Sequence, residues 1–151
     1  MLKGGGVAFG PKPRDFSTDL PKKIYDLAFR TALSYRYRRG ELVIIEGDAE
    51  IERTGAGSSR WAKEMLDFHR WGKTQGRSLF VTLSKRANLF AALEGEGMDK
   101  QAVALELNEV DVKDILETGR VVIERRALDK MFKDHSKDLS TNVKVAARER
   151  H

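Results

Sequence analysis

The stretch GELVIIEG, residues 40–47, places four consecutive aliphatic residues between two glycines. A short apolar run that is bounded by residues unfavourable to regular structure is typical of a strand buried on both faces. Strands of this kind belong to parallel sheets that are covered by helices on each side. The run therefore predicts a strand over Leu42–Ile45 and, with it, an α/β fold.

Three further apolar runs alternate with helical patterns along the chain. Strands are predicted at 79–83, 102–107 and 121–123. A helix that contains Trp61 and Phe68 and is capped by Ser58 or Ser59 precedes the first of them, and shorter helices are predicted at 88–93, 112–116 and 127–132. Strands that alternate with helices in this way indicate a mainly parallel sheet.

A first helix is predicted between Pro21 and Gly40. Proline is favoured in the first turn of a helix, where its missing N–H costs nothing, and glycine is a common stop. Helical spacing predicts one buried stripe on this helix, formed by Ile24, Leu27, Ala28, Thr31 and Tyr35. Lys23 and Arg30 are placed on the opposite face.

The positive charge of the chain is concentrated at one end. The formal net charge is +5. Residues 1–40 hold nine lysines and arginines against three aspartates, whereas residues 41–151 hold nineteen against twenty acidic residues. A basic segment on a near-neutral body indicates a polyanionic ligand. A solubilising, solvated segment is the alternative.

Residues 1–20 are predicted to form an extended arm. They contain four glycines and two prolines and show no apolar periodicity. Glycine lets backbone approach a ligand closely, proline stiffens an extended chain, and Phe9 offers a face for base stacking. The predicted organisation is therefore an arm at 1–20, a globular domain at 21–132 and a polar tail at 133–151.

Several kinds of site are disfavoured by composition. The chain has no cysteine, so disulfides and thiolate chemistry are excluded. No apolar run approaches the ~20 residues that a membrane span requires. The three histidines, at 69, 135 and 151, have no metal-ligand spacing and suggest no catalytic set.

Two segments suggest a catalytic or a nucleotide-binding site as an alternative. Glu46, Asp48 and Glu50 follow the first strand, where open α/β sheets bind ligands, and they could hold Mg²⁺ for a nuclease or phosphotransferase. The loop TGAGSS at 54–59 has two glycines of a dinucleotide-binding turn but has Arg60 in place of the third. It also lies well past the preceding strand, so a polar loop is favoured.

A longer pattern resembles a known family. The residues that carry it are GGGVAFGPKPRDF at 4–16, LPKK at 20–23 and LAFRTALS at 27–34. They closely resemble large-subunit ribosomal protein four, a universal family. Weaker similarity covers Ala87–Leu89 with Ala92, and the segments at 111–116 and 120–123.

The resemblance implies a three-layer α/β/α domain on the ribosome surface, with a loop directed toward the peptide exit tunnel. It implies a structural constituent of the large subunit that is not an enzyme and has no catalytic residue, metal or cofactor. The implied partners are large-subunit rRNA and neighbouring large-subunit proteins, with no membrane and no small-molecule substrate. The implied RNA-binding residues are Lys3, Gly4, Gly5, Gly6, Phe9, Lys12, Pro13, Arg14, Lys22, Lys23 and Arg30.

Two departures from the family refine this expectation. The family usually has a basic pair where this chain has Tyr25-Asp26, so the helix is not expected to contact RNA at these two positions. Its first strand, first helix and outgoing half of the loop are expected before Lys3 and are missing from this sequence, which predicts an exposed apolar edge or face. The divergent stretch from Trp61 to Trp71 resembles a fungal mitochondrial member, so a mitochondrial ribosome is expected, with a bacterial cytoplasmic ribosome as the alternative.

Overall fold

The computed structural model describes residues 4–139 except residues 53 and 56. Five α-helices are present in this part of the chain: α1 at Lys22–Arg38, α2 at Ser58–Phe68, α3 at Ala87–Leu93, α4 at Val112–Glu117 and α5 at Arg125–His135. The four described strands are β1 at Leu42–Ile45, β2 at Ser78–Thr82, β3 at Ala102–Glu106 and β4 at Arg120–Glu124. A short 3-10 helix at Lys73–Gln75, which the sequence did not predict, precedes β2.

The four strands form one parallel sheet in the order β1-β4-β2-β3. Strand β4 pairs with β1 through Leu42 opposite Val121, and with β2 through Leu79 opposite the same valine. Strand β2 is buried along its whole length, because it lies between β4 and β3 and is covered on both faces. The predicted α/β class and the mainly parallel sheet are therefore confirmed.

Successive residues of the central strands supply two separate hydrophobic cores. Leu79 and Val81 of β2 face one core, whose helical side comes from α1, α4 and α5. Phe80, between them in sequence, faces the other core, which is closed by α2 and α3. This alternation follows from the two-residue period of a strand and produces the three-layer α/β/α arrangement.

The buried face of α1 differs from the predicted stripe. Ile24, Leu27 and Tyr35 are 55%, 57% and 45% exposed. They line an open apolar groove between α1 and α4. The residues that α1 buries are Asp26, Phe29, Ala32, Leu33 and Arg36. The helix is rotated relative to the prediction because two polar residues on its inner face have partners in α4 and α5.

Arg36 is one of these buried polar residues, and it closes the end of α4. Its side chain donates to the carbonyl oxygens of Ile115 at 2.7 Å, Leu116 at 2.9 Å and Thr118. It also binds Glu41 at 2.5 Å. The last carbonyls of a helix have no partner within the helix, so Arg36 supplies the donors that α4 lacks.

Glu124 joins three segments at the carboxyl end of the sheet. Its carboxylate, only 1% exposed, accepts hydrogen bonds from the backbone N–H groups of Ala49 at 2.8 Å and Leu83 at 2.9 Å. Arg86 donates to it at 2.8 Å. The loops that follow β1 and β2 are thus fixed to the end of β4.

The start of α2 and the end of α5 differ from the predictions. Helix α2 begins at Ser58 itself, with Gly57 before it, and the hydroxyl of Ser58 donates to the carbonyl of Gly55 at 2.8 Å. The predicted serine cap of α2 is therefore wrong. Helix α5 continues to His135, three residues into the segment predicted as tail. None of the helices in the described part of the chain is long and apolar enough to cross a membrane.

Strand β1 lies at one edge of the sheet, where its apolar side chains are partly uncovered. Ile44 is 47% exposed. Together with Leu42 it contributes to a second apolar groove that includes Leu33 of α1 and Phe132 of α5. An exposed apolar edge strand is a surface that other chains can join.

Candidate nucleic-acid interface

The arm carries most of the predicted RNA-binding residues, and its side chains are open to solvent. Residues 4–20 form no helix or strand, and each of them is exposed. Phe9 is 89% exposed. Gly5 has a φ of +70°, a left-handed conformation that side-chain-bearing residues rarely adopt. The arm therefore presents backbone, cations and one free aromatic ring together. Lys3 lies outside the described residues.

Local contacts stiffen the basic part of the arm. The guanidinium of Arg14 lies 4.5 Å from the centre of the Phe16 ring, a cation–π arrangement. The N–H of Ser17 donates to Asp15 at 2.8 Å, and this hydrogen bond lowers the pKa of the Asp15 carboxyl. Asp15 thus stays ionised but is turned toward its own backbone, while Lys12 and Arg14 remain exposed.

The arm runs into the positive end of α1. Lys22 and Lys23 form the first turn, both are exposed, and that turn contains no acidic residue. The free N–H groups and the macrodipole of a helix start attract anions. Lysines in this turn strengthen the attraction for phosphate and have no structural role for the helix itself, since cations are unfavourable there.

Arg30 is set apart from the other predicted cations. Its guanidinium binds both carboxylate oxygens of Asp138, at 2.6 and 3.1 Å, and donates to the carbonyl of His135. The hydrogen bond that Arg30 donates to Asp138 raises the pKa of Arg30. Arg30 therefore already ties α1 to the end of α5, and a phosphate would have to compete with Asp138.

The pair Tyr25-Asp26 faces the protein. The hydroxyl of Tyr25 donates to Asp111 at 3.0 Å, and Asp26, 2% exposed, lies 2.7 Å from Nδ1 of His135. Burial, together with Asp111, raises the pKa of Tyr25 to about 12. The His135 ring also stacks on Phe29, with centres 4.2 Å apart. Tyr25 and Asp26 are therefore engaged in intramolecular contacts.

The acidic set considered as a catalytic site is engaged in structural contacts. Glu46 binds Arg125 at 2.5 Å, and Asp48 binds Arg86 at 2.6 Å. Glu50 accepts the N–H of Leu89 at the start of α3 at 3.0 Å. Within the described residues, no group of three potential metal ligands converges. The nuclease or phosphotransferase alternative therefore has no support.

A second basic and aromatic surface was not singled out from the sequence. It lies between α2 and β2, at residues 68–77, which contain Arg70, Lys73 and Arg77 and no acid. The signal was present, since Phe68, His69 and Trp71 accompany these cations in the sequence. The larger basic excess of residues 1–40 masks this local signal in the charge distribution.

An α/β domain with an exposed, glycine-rich basic arm at one end has the architecture expected of proteins that bind a polyanion. Residues 1–134 match the Ribosomal protein L4/L1 family. The chain belongs to this family.

Individual relatives agree with the family match. The "Large ribosomal subunit protein uL4m" of Neurospora crassa is 49% identical over 162 aligned positions, covering 96% of this chain and 49% of that protein. The "Large ribosomal subunit protein uL4" of Mycoplasma genitalium is 35% identical over 85% of this chain and 58% of its own length. That of Thermus thermophilus is 48% identical over 64 residues, 42% of this chain and 30% of its own length. The chain thus spans about half the length, or less, of these relatives.

Proposed function

We propose that the chain is a structural protein of the large ribosomal subunit, without catalytic activity, that binds large-subunit rRNA through residues 3–23. The observation that carries the proposal is the family match over residues 1–134, which includes the whole exposed basic arm. The arm offers what folded RNA recognises: cations for phosphate, glycine backbone for close approach and a free aromatic ring. Neighbouring large-subunit proteins are the other proposed partners.

The proposed location is the ribosome of mitochondria. The support is the similarity to the Neurospora crassa protein, at 49% identity over 96% of the chain. A bacterial relative that aligns over 85% of the chain is 35% identical. The arm is proposed to form part of a loop directed toward the peptide exit tunnel, as in the family.

Affinity for RNA is expected to depend steeply on salt. If Lys3, Lys12, Arg14, Lys22 and Lys23 each meet a phosphate, the logarithm of the binding constant should fall with the logarithm of salt concentration at a slope of about −4. The measurement is filter binding of the 151-residue chain to a mitochondrial large-subunit rRNA transcript at several salt concentrations. The double variant Lys12→Gln, Arg14→Gln should reduce the magnitude of the slope by about 2.

The matched control is Lys130→Gln with Lys133→Gln, two exposed cations on α5. This variant should bind with the slope of the unmodified chain. A slope near zero for the unmodified chain, or equal slopes for the arm and control variants, would contradict RNA binding by the arm.

A further inference from the structure

The segment between α2 and β2 exposes cations together with aromatic rings. Arg70, Lys73 and Arg77 are exposed, and Arg120 at the start of β4 is partly exposed beside them. Among the described residues, none of these four cations takes part in an ion pair. We call residues 68–77 with Arg120 the α2–β2 surface.

The rings of this surface form a short stack that ends in solvent. Phe68 is 83% exposed, and its ring meets that of His69 edge-on, with centres 5.1 Å apart. His69 stacks on Trp71 at 4.7 Å, and the guanidinium of Arg120 lies 5.9 Å from the Trp71 ring. The inner end of the stack is anchored because Trp71 contacts the buried Phe80. The outer end, Phe68, has a free face.

Arg70 occupies a backbone position that favours glycine. Its φ is +56°, and it is the one described residue other than glycine with a positive φ. The N–H of Arg70 donates to the carbonyl of Asp67 at 3.1 Å, and that of Trp71 to Leu66 at 2.7 Å. These two bonds define a Schellman motif, in which glycine normally fills the left-handed position. An arginine here strains the backbone and places a cation beside the stack. Strain of this kind clusters at functional sites.

The α2–β2 surface and the arm lie at opposite ends of the sheet. The surface precedes Ser78 and includes Arg120, so it lies at the amino ends of β2 and β4. The arm leads into the first turns of α1, where Tyr25 binds Asp111. Asp111 follows β3 in the chain, so this end of α1 lies at the carboxyl end of the sheet. One compact ligand group therefore cannot occupy both places.

We propose that the α2–β2 surface is a second RNA-binding site, which receives an unstacked base on Phe68 and phosphates on Arg70, Lys73 and Arg120. The proposal rests on the proposed function, because it takes RNA as the partner. Unpaired bases in RNA loops and bulges stack on aromatic side chains, and neighbouring cations hold the backbone. Aromatic residues and arginine are also common in protein interfaces, but three cations with no acidic residue at 68–77 favour a polyanionic partner, which RNA is.

Two single substitutions separate the roles of charge and stacking. Arg70→Gly removes the cation while keeping the left-handed turn, so the urea midpoint should stay equal or rise while RNA affinity falls about 5-fold or more. For this variant, the slope of the logarithm of the binding constant against the logarithm of salt concentration should decrease in magnitude by about 1. Phe68→Ala should also weaken binding about 5-fold or more but leave the slope unchanged, because stacking releases no counterions. Binding is measured with the full chain and the mitochondrial large-subunit rRNA transcript.

A crosslink locates the contact directly. The same transcript, carrying 4-thiouridine, is irradiated in complex with the full chain and the product is digested with trypsin. We expect a nucleotide adduct on the peptide of residues 64–70, which contains Phe68 and His69.

The matched controls for the two substitutions are Arg126→Gln and Phe132→Ala on α5. Both side chains are exposed, and these variants should leave RNA affinity unchanged.

The outcomes distinguish this site from the proposed function. If the arm variant weakens binding and both α2–β2 variants match their controls, the second site is overturned and the proposed function stands. If the unmodified chain does not bind the transcript, the second site and the proposed RNA-binding function are both overturned. If the α2–β2 variants bind RNA normally but fail to enter large subunits, the surface is a protein contact, and the RNA proposal is overturned.

Discussion

Replacing Arg36 by methionine is expected to destabilise the domain by about 3–5 kcal/mol, the range for removing one partner of a buried charged network. Methionine keeps most of the aliphatic stem but removes every donor. The carbonyls of Ile115, Leu116 and Thr118 would lose the hydrogen bonds that Arg36 supplies. Total stabilities of domains are about 5–15 kcal/mol, so the urea midpoint should fall severely.

The matched control for this prediction is Arg38→Met, because Arg38 is exposed on the same helix two residues further on. Its replacement should change the free energy of unfolding by less than about 0.5 kcal/mol. Equal urea midpoints for the two variants would contradict the role assigned to Arg36.

Replacing Glu124 by glutamine is expected to cost about 3 kcal/mol or more, for the same reason. The amide would present an N–H₂ group to Ala49, Leu83 or Arg86, all of which are donors. It would also leave Arg86 without its buried counter-charge. The measurement is urea unfolding at pH 7, compared with Glu46→Gln, whose carboxylate is 75% exposed and should matter little.

The pH dependence of stability provides a second test of Glu124. Burial alone would raise its pKa, but hydrogen bonds from Arg86, Leu83 and Ala49 outweigh burial and hold the pKa below its ordinary value. A carboxyl with a lowered pKa stabilises the fold above the pKa it has when unfolded, and this contribution is lost as pH falls. Between about pH 5 and pH 3, the unmodified chain should therefore lose more stability than Glu124→Gln. A parallel loss in both proteins would contradict this account.

The strands were largely predictable because their signal is local. Leu42–Ile45 has the predicted bounds, since a run of aliphatic residues between glycines has few alternatives. Strand β4, in contrast, ends at Glu124 rather than at Ile123. A charged residue after an apolar run predicts a loop. Glu124 is buried in the strand because its carboxylate accepts hydrogen bonds from residues 38 to 75 positions away in the chain.

The orientation of α1 could not be obtained from periodicity. The buried face of α1 contains Asp26 and Arg36, and the spacing of apolar residues predicts that charged residues such as these face solvent. Their partners are His135 and the end of α4, separated from them by 109 and about 80 residues. The same limit applies to Arg30. The resemblance places it among the RNA-binding cations, and its ion pair with Asp138, 108 residues away, has no signal in the sequence.

The position of β4 has a consequence for how the chain folds during its synthesis. Of the four described strands, β4 comes last along the chain, yet it lies inside the sheet between β1 and β2. Leu42 of β1 must wait for Val121 to be made before it can pair. At about 5–20 residues per second this delay is roughly 4–16 s. During that interval the arm has already been synthesised, while the domain behind it remains incomplete. Until β4 is made, we therefore expect β1 and one edge of β2 to stay unpaired for seconds, and unpaired apolar strands are prone to aggregate.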